Sequence, residues 1–202
     1  MTPLPHHRVP ACRDGVNRRI ALGVLGLILS GVPVRNGSVG PRETAVFRSI
    51  NRLPDQLYSP IWPIMQLGNF AAGPIAALFA WVTGRPALAR RLLVSGVSAW
   101  AAAKAVKRVY RRPRPSLLVT GTKCRGAEAT GLGYVSGHAG VVVALAAAAY
   151  PELGRAGRVA TLFAVPAVGL GRIYVGAHLP LDVLGGATMG LAIEAAAERP
   201  FG

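Results

Sequence analysis

Six apolar runs separated by short polar clusters constrain this chain more than any other feature. They cover residues 20–34 (IALGVLGLILSGVPV), 59–83, 92–106, 139–150, 159–177 and 181–197. Each comes near the ~20 residues that a helix needs to cross a bilayer, and several use their polar ends to complete the span. A backbone in lipid must satisfy its own hydrogen bonds, which leaves the helix as the form for single runs of this length. The pattern predicts an all-α polytopic membrane protein, a six-transmembrane-helix bundle. Trp62 and Trp81 stand near the two ends of the second run, where interfacial aromatics belong. The last run carries Gly186-x-x-x-Gly190, a small-residue spacing that lets membrane helices approach closely.

The stretches between the runs are also informative. Residues 1–19 are polar and arginine-bearing and read as a disordered cytoplasmic tail, with the membrane domain spanning 20–198. A basic segment before a short apolar one also fits a signal peptide, but no clear small-residue cleavage site follows, so 20–34 is read as an anchor. In 35–58, Val46, Phe47, Ile50 and Leu53 recur at helical spacing among arginines, which predicts a short helix lying at the membrane surface. Neither an internal repeat nor a separate soluble domain is discernible.

The net charge of +15 over 202 residues asks for an anionic partner. A mean hydropathy of +0.39 argues against a soluble nucleic-acid binder and for a membrane protein that meets anionic lipid or a phosphorylated substrate. Cys12 and Cys124 show neither metal spacing nor a disulfide framework and are read as unpaired thiols. Association of identical copies is left open.

Three polar clusters interrupt the apolar pattern: KRVYRRPRP (107–115), VSGH (135–138) and GRIYVGAHLPLD (171–182). By the span count all three open on one membrane face. Lys107, Arg114 and Arg172 are cations at apolar helix ends and need an anion. Asp182 and Glu128 are the few carboxylates nearby, so the anion is expected to be brought in. Guanidinium groups match phosphate oxygens with paired hydrogen bonds. Ser136 and Gly137 stand where a helix begins, so backbone N–H groups and the helix dipole can face the same phosphate. A lone histidine at an interface is by default a structural hydrogen-bonder. Two of them, His138 and His178, on one face among phosphate-type ligands, point to chemistry instead. Pro180 predicts the first turn of the sixth helix, which places His178 before it and Asp182 within that turn. From there the carboxylate can orient the imidazole and leave the other nitrogen as nucleophile or base. Too few carboxylates share this face for a metallophosphatase, so no metal and no cofactor is expected.

The same residues resemble the signature of the type 2 phosphatidic acid phosphatase (PAP2) superfamily, K-x6-R-P, then P-S-G-H, then S-R-x5-H-x3-D. Lys107 with Arg114-Pro115 matches the first part, Ser136-Gly137-His138 three of four positions of the second, and Arg172, His178 and Asp182 the third. Val135 stands in place of the proline and Gly171 in place of the serine, and neither change removes a reactive group. The resemblance implies a metal-independent phosphohydrolase acting on a lipid phosphate or diphosphate. His178 would form a phosphohistidine, Asp182 would orient it, and His138 would protonate the leaving oxygen. Lys107, Arg114, Ser136, Gly137 and Arg172 would bind the phosphoryl oxygens.

Candidate substrates are polyprenyl mono- or diphosphates, phosphatidic acid, phosphatidylglycerophosphate and phosphorylated prenyl-sugars. The site would face the extracytoplasmic side. That agrees with the tail-inside topology favoured by Lys and Arg once the dense 104–125 cluster is assigned to substrate. The Ala, Gly and Arg bias is that of a GC-rich bacterial genome, hence a bacterial plasma membrane. Two rivals share the scaffold: a non-catalytic lipid-binding or transport protein, which should first lose His178, His138 or Asp182, and a vanadium haloperoxidase, which is larger and soluble.

Overall fold

A computed structural model describes residues 10–127 and 129–198, with side chains from Asp14 onward. The described residues form helices and no strand. In chain order these are α1 (Pro10–Gly31), α2 (Pro41–Asn51), α3 (Tyr58–Met65), α4 (Ala72–Val82), α5 (Pro86–Tyr110), α6 (Pro115–Leu118), α7 (Gly137–Ala149), α8 (Arg155–Tyr174) and α9 (Pro180–Glu198). Proline begins several of them, its fixed φ suiting a first helical residue. The Pro113 and Pro115 pair follows α5 and forbids its continuation.

Helix α9 lies at the centre, packed against α1, α5 and α7, while α4 backs α5 and α3 backs α8. Small residues set these spacings. A Cβ at Gly186 or Gly190 would collide with the carbonyl oxygens of Ser136 and Gly140, so the Gly-x-x-x-Gly pair seats α9 directly on the α7 backbone. At one end of the bundle the buried carboxylate of Glu194 (α9) is clasped by Arg19 of α1, Nη1 at 2.8 Å, and by Arg91 of α5, Nε at 3.0 Å. Both arginines also meet Glu198. The opposite end holds the C-terminus of α5 and the N-termini of α7 and α9.

Three expectations change. First, the tail expected to be disordered over 1–19 is helical from Pro10, and Arg19 is fastened to α9; residues 1–9 lie outside the described residues. Second, the run 59–83 is not one continuous helix. The chain breaks between α3 and α4 with a bend of 69°, where Asn69 ends one segment and its Oδ1 accepts the N–H of Ala72 at 2.9 Å to start the next. Third, length and composition alone return Asp14–Val34 and Arg155–Tyr174 as spans, plus the bent pair if it counts as one. Helix α7 is 13 residues, about 20 Å at 1.5 Å per residue, and α5 and α9 carry charged residues along their length.

The surface helix is present as α2, with Phe47 fully buried and Val46 turned outward. It is tied down over the long loop. The Asn51 side chain donates to the carbonyls of Lys123 (2.8 Å) and Tyr174 (3.0 Å) and accepts the N–H of Lys123 at 2.8 Å. Arg125 joins the carbonyls of Asn51, Leu53 and Tyr174 and stacks over the Tyr174 ring at 4.1 Å.

Candidate active site

The turn from α8 into α9 shapes the site. The carbonyl of Arg172 accepts the N–H groups of both Ala177 and His178, each at 3.1 Å. Gly176 makes this loop possible: its φ is +77°, and a Cβ there would strike the carbonyl of Lys123. His178 is thereby held at the head of α9 with 3% of its surface exposed.

Arg114 Nη1 lies near both of its ring nitrogens, 3.4 Å from Nδ1 and closer to Nε2, while Asp182 faces Nδ1 alone. Nδ1 lies 3.5 Å from Asp182 Oδ2, one helical turn on. Nε2 lies 2.9 Å from Nη1 of Arg114. A guanidinium only donates and its shorter contact is with Nε2, while the carboxylate lies on the Nδ1 side, an arrangement that suits a ring proton on Nδ1, toward Asp182. Burial, then the charges of Lys107, Arg114 and Arg172, and then His138, hold the imidazole well below its usual value of 6.5. The ring is neutral at pH 7, with a lone pair on Nε2.

Arg114 also donates to the carbonyls of Ala177 (2.6 Å) and Thr130 (3.1 Å), while its Nε is buried without a partner, as is that of Arg172. Two half-buried guanidinium groups with unused donors beside a neutral imidazole have the chemistry to hold an anion. Lys107 departs from the simplest expectation: its ammonium donates to the carbonyls of Leu132 (2.7 Å) and Gly133 (2.8 Å), leaving one proton for a ligand. Ser136 is fully buried and caps α7, its Oγ accepting from the N–H of Ala139 at 3.4 Å, and its own N–H donates to the carbonyl of Asp182 at 2.7 Å. The cap leaves the Ser136 hydroxyl proton and the first N–H groups of α7, from Gly137 and His138, for a ligand. His138 is half-buried in that first turn, and its side chain has no hydrogen-bond partner among the described residues. The break between α3 and α4 reaches this point too: Gly68 packs on the His138 carbonyl, where a Cβ would clash.

The structure thus gathers Lys107, Arg114, Ser136, Gly137, His138, Arg172, His178 and Asp182 at one end of the bundle. A cavity of about 270 Å³ opens beside them, lined by Tyr58, Trp62, Gln66, Ser116 and Arg172 among others. Among the described residues, no three His, Cys, Asp or Glu side chains are grouped to hold a metal ion. Cys124 is a free, exposed thiol on the same loop. Glu128 and the Cys12 side chain lie outside the described residues.

Two residues at the site were not singled out from sequence. Arg112 is fully buried and its Nη1 donates to Asp182 Oδ1 at 2.8 Å. Glu43, on α2, accepts from Arg112 at 3.1 and 2.6 Å. Burial pulls the Arg112 guanidinium down, but its hydrogen bonds to Glu43 and the charge of Asp182 outweigh this and raise it above its usual value. In the sequence Arg112 is one cation among many in KRVYRRPRP. The only available signal was that a buried arginine needs a carboxylate, and Glu43 is the one acid of α2.

Residues 88–198 match the model of the PAP2 superfamily, a range that contains all eight expected site residues. The chain belongs to the PAP2 superfamily. It is a phosphatase of that family and an integral membrane protein. A relative from Mycolicibacterium smegmatis, decaprenylphosphoryl-5-phosphoribose phosphatase, is 34% identical over 130 residues, 61% of this chain and 67% of its own. The fold is that of Aquifex aeolicus LpxE, with a TM-score of 0.70, 20% identity and coverage of 77% of this chain and 93% of that one. It is equally that of a transmembrane PAP2 type phosphatidylglycerolphosphate phosphatase from Bacillus subtilis, with a TM-score of 0.69, 21% identity and coverage of 90% and 94%.

Proposed function

We propose that this PAP2 phosphatase hydrolyses a lipid phosphate without a metal ion, through a phosphohistidine on His178. The observation that supports this reading is the setting of one ring, with Asp182 on its Nδ1 side and the Arg114 guanidinium closest to its Nε2.

Substrate phosphate seats against Arg114, Arg172, the remaining proton of Lys107 and the N-terminus of α7. Arg114 moves its Nη1 from Nε2 onto a phosphoryl oxygen, which frees the lone pair. Nε2 attacks phosphorus in line and the bond to the lipid headgroup oxygen breaks. Asp182 stabilises the positive charge that the ring acquires. His138, favoured in its protonated form by the bound phosphate, gives its proton to the departing oxygen. His138 then takes a proton from water as that water attacks phosphorus. Phosphate leaves and His178 is regenerated.

The relative's printed substrate supports a prenyl-linked phosphate here, and the cavity beside Arg172 supports a polar headgroup between the phosphate and the chain. In this reading the chain crosses six times, by α1, the bent pair α3–α4, α5, α7, α8 and α9, and the site faces the extracytoplasmic side of a bacterial plasma membrane. The N-terminal tail is then cytoplasmic, and residues 20–198 form one catalytic unit. The test is phosphate release by purified protein from a panel of lipid phosphates in EDTA, with acid quenching to look for labelled phosphohistidine. Turnover in chelator, inhibition by vanadate and label lost in His178→Ala are expected. Activity that requires added Mg²⁺, or label on another residue, overturns the mechanism.

A further inference from the structure

We infer that Arg112 and Glu43 are positioning residues for the histidine nucleophile, acting through Asp182. The inference rests on the reading of His178 given above. Arg112 is wholly enclosed, so it cannot touch substrate. Its planar fork instead joins two carboxylates from distant parts of the chain. Nη1 donates to Asp182 Oδ1 at 2.8 Å and to Glu43 Oε1 at 3.1 Å. Nη2 donates to Glu43 Oε2 at 2.6 Å and to the Ser38 carbonyl at 3.0 Å. Glu43 Oε1 also accepts the N–H of Leu181 at 3.1 Å, at the head of α9.

With Oδ1 held by Arg112, Asp182 has one oxygen left for other work. Oδ2 accepts the N–H of Leu179 at 2.9 Å and faces His178 Nδ1 at 3.5 Å. The carboxylate is therefore fixed at both oxygens, in the one orientation that addresses the imidazole.

A buried ion triad is a costly way to gain stability, because desolvation offsets much of the attraction and apolar residues of similar volume often serve as well. What it supplies here is angular definition of the Asp182 carboxylate. Glu43 completes the arrangement from outside the family-matched range 88–198, as the one acid of the surface helix α2, its side chain 7% exposed. The fork matters more than the charge, since Lys offers a point charge without its geometry.

The test is a double-mutant cycle on the purified full chain in detergent, with p-nitrophenyl phosphate as substrate. Arg112→Lys and Glu43→Gln are each made in the wild type and in Asp182→Asn. In the wild type, Arg112→Lys is expected to lower kcat about 10²-fold and Glu43→Gln about tenfold, with KM within about twofold because the phosphate ligands are untouched. In Asp182→Asn, both substitutions are expected to change kcat by less than about twofold, because the residue they act through is already disabled. Equal fractional losses in the two backgrounds, or a loss in KM alone, overturn the inference and leave Arg112 a purely structural ion pair. If Arg112→Lys does not fold, the near-isosteric Glu43→Gln carries the same cycle. Wild-type protein without His178-dependent phosphate release overturns the reading of the site and this inference with it, whereas normal wild-type turnover with an additive cycle overturns the inference alone.

Discussion

Arg114 Nη1 stands 2.9 Å from His178 Nε2, so the proposed phosphate ligand occupies the position from which the proposed nucleophile attacks. The same guanidinium is braced by the Ala177 and Thr130 carbonyls, which limits it to a short swing between imidazole and phosphate. Arg114→Lys keeps a charge but cannot hold both carbonyls and a phosphoryl oxygen. It is expected to lower kcat/KM about 10–10²-fold, the worth of one or two charged hydrogen bonds. Steady-state kinetics on a lipid phosphate check this, and an unchanged kcat/KM contradicts the assignment.

The depressed basicity of His178 has a consequence for stability. In the unfolded chain a histidine binds a proton below about 6.5, while in the fold His178 stays neutral well below that pH. The stabilisation is therefore complete above 6.5 and is lost as pH falls through 6.5 toward the folded value, by at most about 1.4 kcal/mol per pH unit for this group. Thermal unfolding in detergent should show His178→Asn less sensitive than wild type to acidification from pH 7 to 5. Identical acid sensitivity in the two proteins contradicts a neutral, buried His178.

The clasp at the far end of the bundle is predicted to be structural. Glu194→Ala leaves Arg19 and Arg91 facing a cavity and only Glu198, and breaking a buried pair in this way costs about 3–5 kcal/mol. The apparent melting temperature should fall clearly, while phosphate release per folded molecule stays near wild type because the site lies at the other end of α9. Loss of specific activity without loss of stability would contradict this.

The site was more legible in the sequence than the fold around it. The proposed phosphate ligands stand out as cations at apolar helix ends with few carboxylates near them in the sequence, and Pro180 correctly placed His178 before α9 and Asp182 in its first turn. Hydropathy carried less information where a segment serves packing as well as lipid. The bend between α3 and α4 lies within a uniformly apolar run, and its cause, Gly68 against the His138 carbonyl, is a contact across 70 residues of sequence. Helix in 10–19 was hidden because Arg19 is polar in composition yet paired in space with Glu194, 175 residues away. Arg112 and Glu43, 69 residues apart, were missed for the same reason. Lys107 was recognised as a site cation, but its bonds to the Leu132 and Gly133 carbonyls depend on the fold of a loop that has no periodic signal.

Orientation is checked through Cys124, which is exposed on the loop at the site end. In a Cys12→Ser variant expressed in intact cells, a membrane-impermeant maleimide should label Cys124. No labelling until the cells are opened would place the site on the cytoplasmic face.

The two histidines should differ in what they owe to the leaving group. His178 attacks phosphorus, so it is needed whatever departs. His138 protonates the departing oxygen, so it matters in proportion to the basicity of that oxygen. A lipid alcohol is a poor leaving group and needs the proton, a contribution of about 10²–10⁴-fold in rate. A nitrophenolate departs readily without it. His178→Ala is therefore expected to abolish turnover of every substrate. His138→Ala should lose most activity on phosphatidic acid yet keep a measurable fraction on p-nitrophenyl phosphate, with phosphoenzyme accumulating, because the second step still needs a base to activate water. Rates at saturating substrate make the comparison, so that weakened phosphate binding is not mistaken for lost acid catalysis. Equal fractional losses on both substrates in His138→Ala would rule out the leaving-group role, and substantial turnover by His178→Ala would rule out His178 as the nucleophile held between Asp182 and Arg114.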